Sequence, residues 1–208
     1  MRMSKGVALV CAAALALFSL GAVDSASAVN LLVNPGFESG DLTGWQVFGQ
    51  SPSSDVTVVS GDNGPSAPGS YNAFMNNTAQ AVGLTLKQTT APGSAVPGTV
   101  TYSYDLKLDQ ADVGGVLFIE IFAEQSGVGI VGGTGLMGPV WPWSAWTTYT
   151  GSFVAPAGTD FLSIQFMANT GAAVGSNCLA HVDNVVLDQE GAAPAEAATW
   201  GSIKALYY

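Results

Sequence analysis

The stretch from Thr99 to Leu108 constrains the fold more than any other part of this chain. Val100, Tyr102, Tyr104, Leu106 and Leu108 alternate there with Thr101, Ser103, Asp105 and Lys107. A period of two is the repeat of a β-strand, and it predicts one face in a core and the other in water. Val116 to Ala123 is almost continuously apolar apart from Glu120, and Phe161 to Ala168 alternates loosely, so both are expected as central strands. Further strands are expected at Asn30 to Val33, Trp45 to Phe48, Val56 to Ser60, Tyr71 to Asn76, Gly83 to Gln88, Val128 to Val131, Ala145 to Phe153 and Leu179 to Leu187. Turn-forming runs punctuate them: Gly61-Asp62-Asn63-Gly64-Pro65, Ala91-Pro92-Gly93, Pro97-Gly98, Gly132-Gly133 and Pro156-Ala157-Gly158. No amphipathic helical stretch of useful length precedes the tail, and no internal repeat suggests a propeller or solenoid. The pattern predicts an all-β domain of two antiparallel sheets packed as a sandwich.

Residues 1–28 have the form of a secretory signal peptide. Arg2 and Lys5 supply a positive start, Val7 to Leu20 an apolar stretch, and Ala26-Ser27-Ala28 a small-residue cleavage site. The apolar stretch is short for a membrane span, so no transmembrane segment is expected in the mature chain and the protein is expected to be secreted or held at the cell surface. Of the two cysteines, Cys11 falls in the leader, so Cys178 is expected as a small buried thiol without a disulfide partner. Residues 29–189 suit one domain, 190–198 a linker containing Ala, Glu and Pro, and 199–208 a tail peptide, TWGSIKALYY. The tail resembles short terminal peptides of secreted bacterial proteins that often end Tyr-Arg, although Tyr208 stands at the basic position.

The formal charge of −10 excludes one class of partner. Beyond the leader the basic side chains are Lys87, Lys107, Lys204 and, when protonated, His181, with no arginine. Phosphate backbones and anionic lipid are bound through Lys and Arg, so neither nucleic acid nor an anionic membrane is an expected partner. A neutral sugar is compatible with this surface.

Two motifs lie at the ends of the β-rich region: Asn34-Pro-Gly-Phe-Glu-Ser-Gly-Asp-Leu-Thr-Gly-Trp45 and His181-Val-Asp-Asn-Val-Val-Leu-Asp188. Together they resemble the first and last strands of galactose-binding-like jelly rolls, in particular carbohydrate-binding modules of families 4, 9 and 22. The resemblance covers most of residues 29–189 and implies jelly-roll topology with the opening and closing segments side by side. It further implies that Glu38 and Asp183 meet a structural calcium ion, with backbone carbonyls from the Asp41 region or the Gly61 to Gly69 loop. Two carboxylates at low dielectric repel unless a cation or a proton neutralises them, and calcium accepts irregular oxygen shells. The alternative is that Glu38 caps a turn while Asp183 accepts backbone hydrogen bonds. Asp62 and Asn63 are read as an ordinary tight turn.

Polysaccharide sites combine aromatic platforms with polar side chains. Trp141 and Trp143 are the candidate platforms, in a stretch that Pro139 and Pro142 mark as an extended loop, whereas Trp146, Trp45 and Phe37 are expected to pack. Glu120 and Gln165 are the candidate polar partners, and Glu124, Asn169 and Asn76 are further options. Tyr104 could share a concave sheet face with Glu120 and Gln165, which parity alone does not decide. Asn76-Asn77-Thr78 matches a glycosylation acceptor. Glu120 and Glu124 would lie about 13 Å apart on one strand face, too far for either glycosidase geometry. His181 and Cys178 lack further ligands for zinc, and no Ser-His-Asp arrangement stands out. The expected function is therefore non-catalytic binding of a neutral polysaccharide or glycoconjugate. The alternative is an extracellular structural or adhesive protein that contacts other cell-surface proteins.

Overall fold

The computed structural model describes residues 30–140 and 143–190, with Trp143 and Ser144 described by backbone only. The leader, Trp141, the linker beyond Glu190 and the tail peptide lie outside the described residues, as does the side chain of Trp143.

Eleven strands follow in chain order: β1 (Gln46–Phe48), β2 (Ser54–Ser60), β3 (Tyr71–Asn77), β4 (Gly83–Thr89), β5 (Gly98–Asp112), β6 (Val116–Gln125), β7 (Gly129–Gly133), β8 (Met137–Val140), β9 (Trp143–Ala155), β10 (Phe161–Asn169) and β11 (Asn177–Gln189). Sheet I has the order β1-β4-β10-β6-β7, with β8 also on β6; sheet II has the order β2-β3-β11-β5-β9. All pairings are antiparallel, and the described residues contain no helix. This is the sandwich that the alternating sequence predicts.

The core forms where the inner faces meet. Sheet I contributes Leu84, Leu86, Leu117, Ile119, Ile121, Leu162, Ile164 and Phe166, and sheet II contributes Met75, Val100, Leu106, Leu108, Ala180, Val182 and Leu187, all buried. Phe37 and Trp45 enter it from the opening motif, with ring centroids 5.2 Å apart. Tyr104 is also inward, its ring meeting Phe166 edge-on at 5.4 Å. Its possible place on a polar sheet face is thus excluded.

Three expectations change locally. Asn30 to Val33 makes no full strand; Asn30 bridges Asp188 and the Leu31 amide donates to Leu187 O at 2.9 Å, so the opening segment still lies beside the last strand. The proline-containing stretch is largely strand, because Pro139 sits in the short edge strand β8, where no neighbour requires its missing N–H. The outer face of β5 is not open to water throughout: Asp105 is fully buried, because the loop between β2 and β3 folds over it.

The opening motif is a compact turn and not a strand. Asn34 and Phe37 have φ of 48° and 58°, and Gly40 has φ of 75°. Asn34 tolerates the left-handed region and its side chain holds the turn, accepting from the Ser39 amide at 3.1 Å and donating to Asp41 O at 3.0 Å. This geometry turns Phe37 inward while Glu38, next in the chain, remains exposed.

Candidate functional site

Two polar regions stand out, one behind each sheet. The first is a carboxylate cluster on the outer side of sheet II, where β11 breaks its register with β5 between Asp183 and Val186. Asn184 takes φ of 48° at this bulge, which lets its side chain reach Gly64 O at 3.1 Å and Asp105 Oδ2 at 2.9 Å. Asp183 and Asp105 face each other across the two strands, and both are fully buried. Asp183 accepts from the Gly64 amide at 2.9 Å and from the Asn184 amide at 2.7 Å. Asp105 accepts from Ser66 N, Ser66 Oγ, Asn184 Nδ2 and Thr148 Oγ1.

Glu38 joins the same cluster from the opening turn. A methyl group on Gly36 would stand 3.4 Å from Asn184 Oδ1, 3.5 Å from Asp183 Oδ1 and 3.7 Å from Glu38 Cγ, so all three side chains border one glycine. Glu38 accepts from the Ser70 amide at 2.8 and 3.0 Å and from the Tyr71 amide at 3.1 Å. A cavity of about 270 Å³ lined by Asn30, Pro35, Gly36, Ser66, Ala67 and Asn184 lies alongside.

The electrostatics separate the two buried acids. Burial pushes the Asp183 carboxyl up to about 6, against the amides of Gly64 and Asn184, while the charges of Asp105 and Glu38 add to the rise. For Asp105 burial also raises the pKa, but hydrogen bonds from Thr148, Asn184 and Ser66 outweigh it and hold the group below the usual carboxylate range. No ion pair involves either acid among the described residues. Asp183 is therefore the member that a proton or a cation would neutralise. Its oxygens and those of Glu38 and Asn184 are hard donors of the kind calcium takes. Backbone amides already occupy both carboxylates, however, and no set of three or more His, Cys, Asp or Glu side chains is gathered as a metal shell among the described residues.

The second region is the outer face of sheet I. Register places Gln46, Lys87, Gln165 and Glu120 in one row across β1, β4, β10 and β6. Four strands at the usual spacing make this row about 14 Å long. One step along the strands lies a row of Phe48, Thr85, Met167 and Phe118, apolar but for Thr85, and on the other side Phe122 stands beside Ser163. Phe48 is half exposed, at 51%. Lys87 Nζ lies 5.7 Å from the centre of the Phe122 ring and 3.9 Å from Glu124 Oε1. Gln165 Nε2 approaches Glu120 Oε2 at 3.5 Å, and Ser163 hydrogen-bonds to Glu124. The arrangement offers hydrogen-bonding side chains between apolar flanks.

The structure thus brings Glu120, Gln165, Glu124 and Asn169 to one sheet face, and puts Asn76 on the other sheet. Gln46, Phe48, Lys87 and Phe122 belong to the same face and were not singled out in the sequence. Their signal was parity with Gln165, which becomes readable only once β4 and β6 are known to flank β10. Trp146 lies on sheet II, where its indole N–H donates to Asp62 O at 2.8 Å and its ring meets His181 edge-on at 6.0 Å. The imidazole of His181 stacks on Phe74 and hydrogen-bonds with Asn72 at 2.7 Å and Asp109 at 3.1 Å. Burial lowers its pKa, with Asp109 acting in the opposite direction. Cys178 is buried on the inner face, opposite His181, so the two form no joint site.

No protein-family model and no curated protein matches the sequence. Solved structures do match the fold. The chain is similar to the enzymatically active domain of bacteriophage CBA120 tailspike protein 4, with a TM-score of 0.60 and 14% identity over 76% of this chain and 21% of that one. It is similar to the CBM22-1 and GH10 modules of a Clostridium thermocellum xylanase complexed with xylohexaose, with a TM-score of 0.52 and 14% identity over 78% of this chain and 28% of that one. A carbohydrate-binding module described as having promiscuous specificity, from the β-sandwich superfamily, gives a TM-score of 0.53 and 17% identity over 73% of this chain and 60% of that one. The chain thus spans less than two thirds of each of these structures, and at such identities the likeness establishes a shared β-sandwich fold of the carbohydrate-binding-module kind.

Proposed function

We propose that this protein is an extracellular, non-catalytic module that binds a neutral polysaccharide or glycoconjugate on the outer face of sheet I. One observation carries the reading: the row Gln46, Lys87, Gln165 and Glu120 lies between apolar side chains on a sheet with no covering strand or helix among the described residues. Pyranose rings present apolar C–H faces and a girdle of hydroxyls, so a strip of donors and acceptors flanked by Phe48, Phe118 and Phe122 suits them. Gln165 already lies 3.5 Å from Glu120 Oε2, and Lys87 lies 3.9 Å from Glu124, so these side chains are partly ordered before a ligand arrives, which limits the entropy lost on binding. Trp141, outside the described residues, and Trp143, the first residue of β9 in sheet II, remain candidates for an additional platform. The similarity to a xylanase module solved with xylohexaose supports this reading, as does the scarcity of basic side chains.

The carboxylates near Gly36 have a structural part in this proposal. Calcium held by Glu38 and Asp183 would neutralise a buried acid and tie the opening turn to the last strand. The chain's own residues do the rest: Asn184 bridges to Asp105 and Gly64, and the Gly64 and Ser66 amides close the loop over both acids.

A glycan array with calcium present, followed by calorimetry on the best ligand, tests the function. Binding is expected to neutral glycans, with Gln165→Ala and Glu120→Ala each weakening it by about tenfold or more and leaving thermal unfolding unchanged. A wild-type protein that is folded and retains no glycan, or variants that bind as wild type does, would refute the assignment of this face.

A further inference from the structure

The edges of the two sheets differ in how they are closed. β1 has three residues, β7 has three glycines among its five, and β8 carries Gly138 and Pro139. β2 is seven residues long and carries Asp55, whose carboxylate is held by Gln50 and by the Val56 amide. β9 has thirteen residues, WSAWTTYTGSFVA, with no charge and no proline. It is rich in Thr and aromatic residues, which favour strands. Its backbone pairs with β5 alone, so among the described residues the outward row of amides and carbonyls has no protein partner. Long edges are ordinarily protected by lysine, proline, bulges or cover. Along Thr147 to Val154 this one has no lysine, proline or bulge, and β7, which approaches β9 from the facing sheet, makes no backbone hydrogen bond to it.

The occupant follows from charge. With a formal charge of −10 the chain repels its own copies over most of its surface, but β9 against β9 brings no like charges together. On the solvent side Thr150, Ser152 and Val154 are exposed, Val154 at 72%. Antiparallel self-pairing would set threonines and serine opposite one another, a favourable cross-strand combination. We infer that two copies of this chain associate through β9, edge to edge and antiparallel, so that sheet II continues across a two-fold axis.

Sedimentation velocity and hydrogen exchange on the purified chain test the inference, and neither depends on glycan binding. The expected result is a dimer that dissociates on dilution, with amides of Thr147 to Phe153 losing protection as it does so. Thr150→Lys with Ser152→Lys points charge from the solvent side of β9 and is expected to give a monomer with unchanged thermal unfolding, while Thr57→Lys on the opposite edge strand leaves the dimer intact. A chain that stays monomeric at the highest concentration reached would overturn the inference. So would a dimer that survives the double lysine variant, or one that Thr57→Lys dissolves.

Discussion

At Phe37 the backbone and the side chain pull in opposite directions. A φ of 58° is unfavourable for a bulky residue, yet the ring is fully buried against Trp45, whose indole N–H donates to Asn34 O at 3.1 Å. Packing must outweigh the backbone cost, and Phe37→Ala is expected to lower unfolding stability by about 3–5 kcal/mol, read by denaturant melts. Loss of less than about 1 kcal/mol would mean the turn is held by Asn34 and not by the ring. Cys178 makes a second, independent case. Burial pushes its thiol up to about 12, so alkylation at pH 8 should proceed only as fast as the chain opens and should accelerate abruptly in denaturant. Both residues were legible in the sequence, because an apolar side chain in a turn motif and a lone thiol on an alternating strand have few other destinations. Asp105 was not. Alternation put it on the solvent side, and only a loop some forty positions away in sequence, contributing Ser66, removes the water.

At the scale of elements, the closing strand depends on a bulge that the motif Asp183-Asn184-Val185 encodes: Asn184 supplies the left-handed residue and Asp183 the acceptor for the loop over it. The strand pattern was readable from alternation almost throughout, whereas the register break was not, since parity simply resumes on the far side of a bulge. The break has a consequence for pH. The folded-state pKa of Asp183 is raised from 3.8 to about 6, so folding takes up a proton between these values. Its contribution to stability is present below about pH 4 and is lost as pH rises through about 6, by up to about 3 kcal/mol. Calcium held by Glu38 and Asp183, as proposed, would act against that loss, because it would favour the ionised acid. His181, whose pKa burial lowers, adds stability over the upper part of the same range, so the share of Asp183 is read against Asp183→Asn. In chelator, thermal unfolding followed from pH 4 to pH 7 should show the wild type losing stability relative to that variant, and added calcium should restore it near pH 7 in the wild type alone. An unchanged melting temperature with and without chelator at pH 7, and no calcium by elemental analysis, would leave Asp183 with the Gly64 and Asn184 amides as its partners among the described residues.

On the scale of the whole molecule, the proposed glycan face and the β9 edge belong to different sheets, and the sandwich fixes their relation. A two-fold axis normal to sheet II keeps the same face of each copy on the same side. Both sheet I layers then lie on one side of the joined sheet, with their outer faces turned the same way. Two sites presented together engage a long polymer or a coated surface at once, and linkage of this kind raises apparent affinity by about 10²–10⁴-fold without any new contact. A short soluble oligosaccharide gains nothing from it. The double variant Thr150→Lys, Ser152→Lys should therefore bind oligosaccharide with wild-type affinity in calorimetry and be released far faster from an immobilised polysaccharide. Equal retention of wild type and variant on the polymer would show that the two faces do not act together. Loss of oligosaccharide affinity in the variant would instead place β9 within the glycan site.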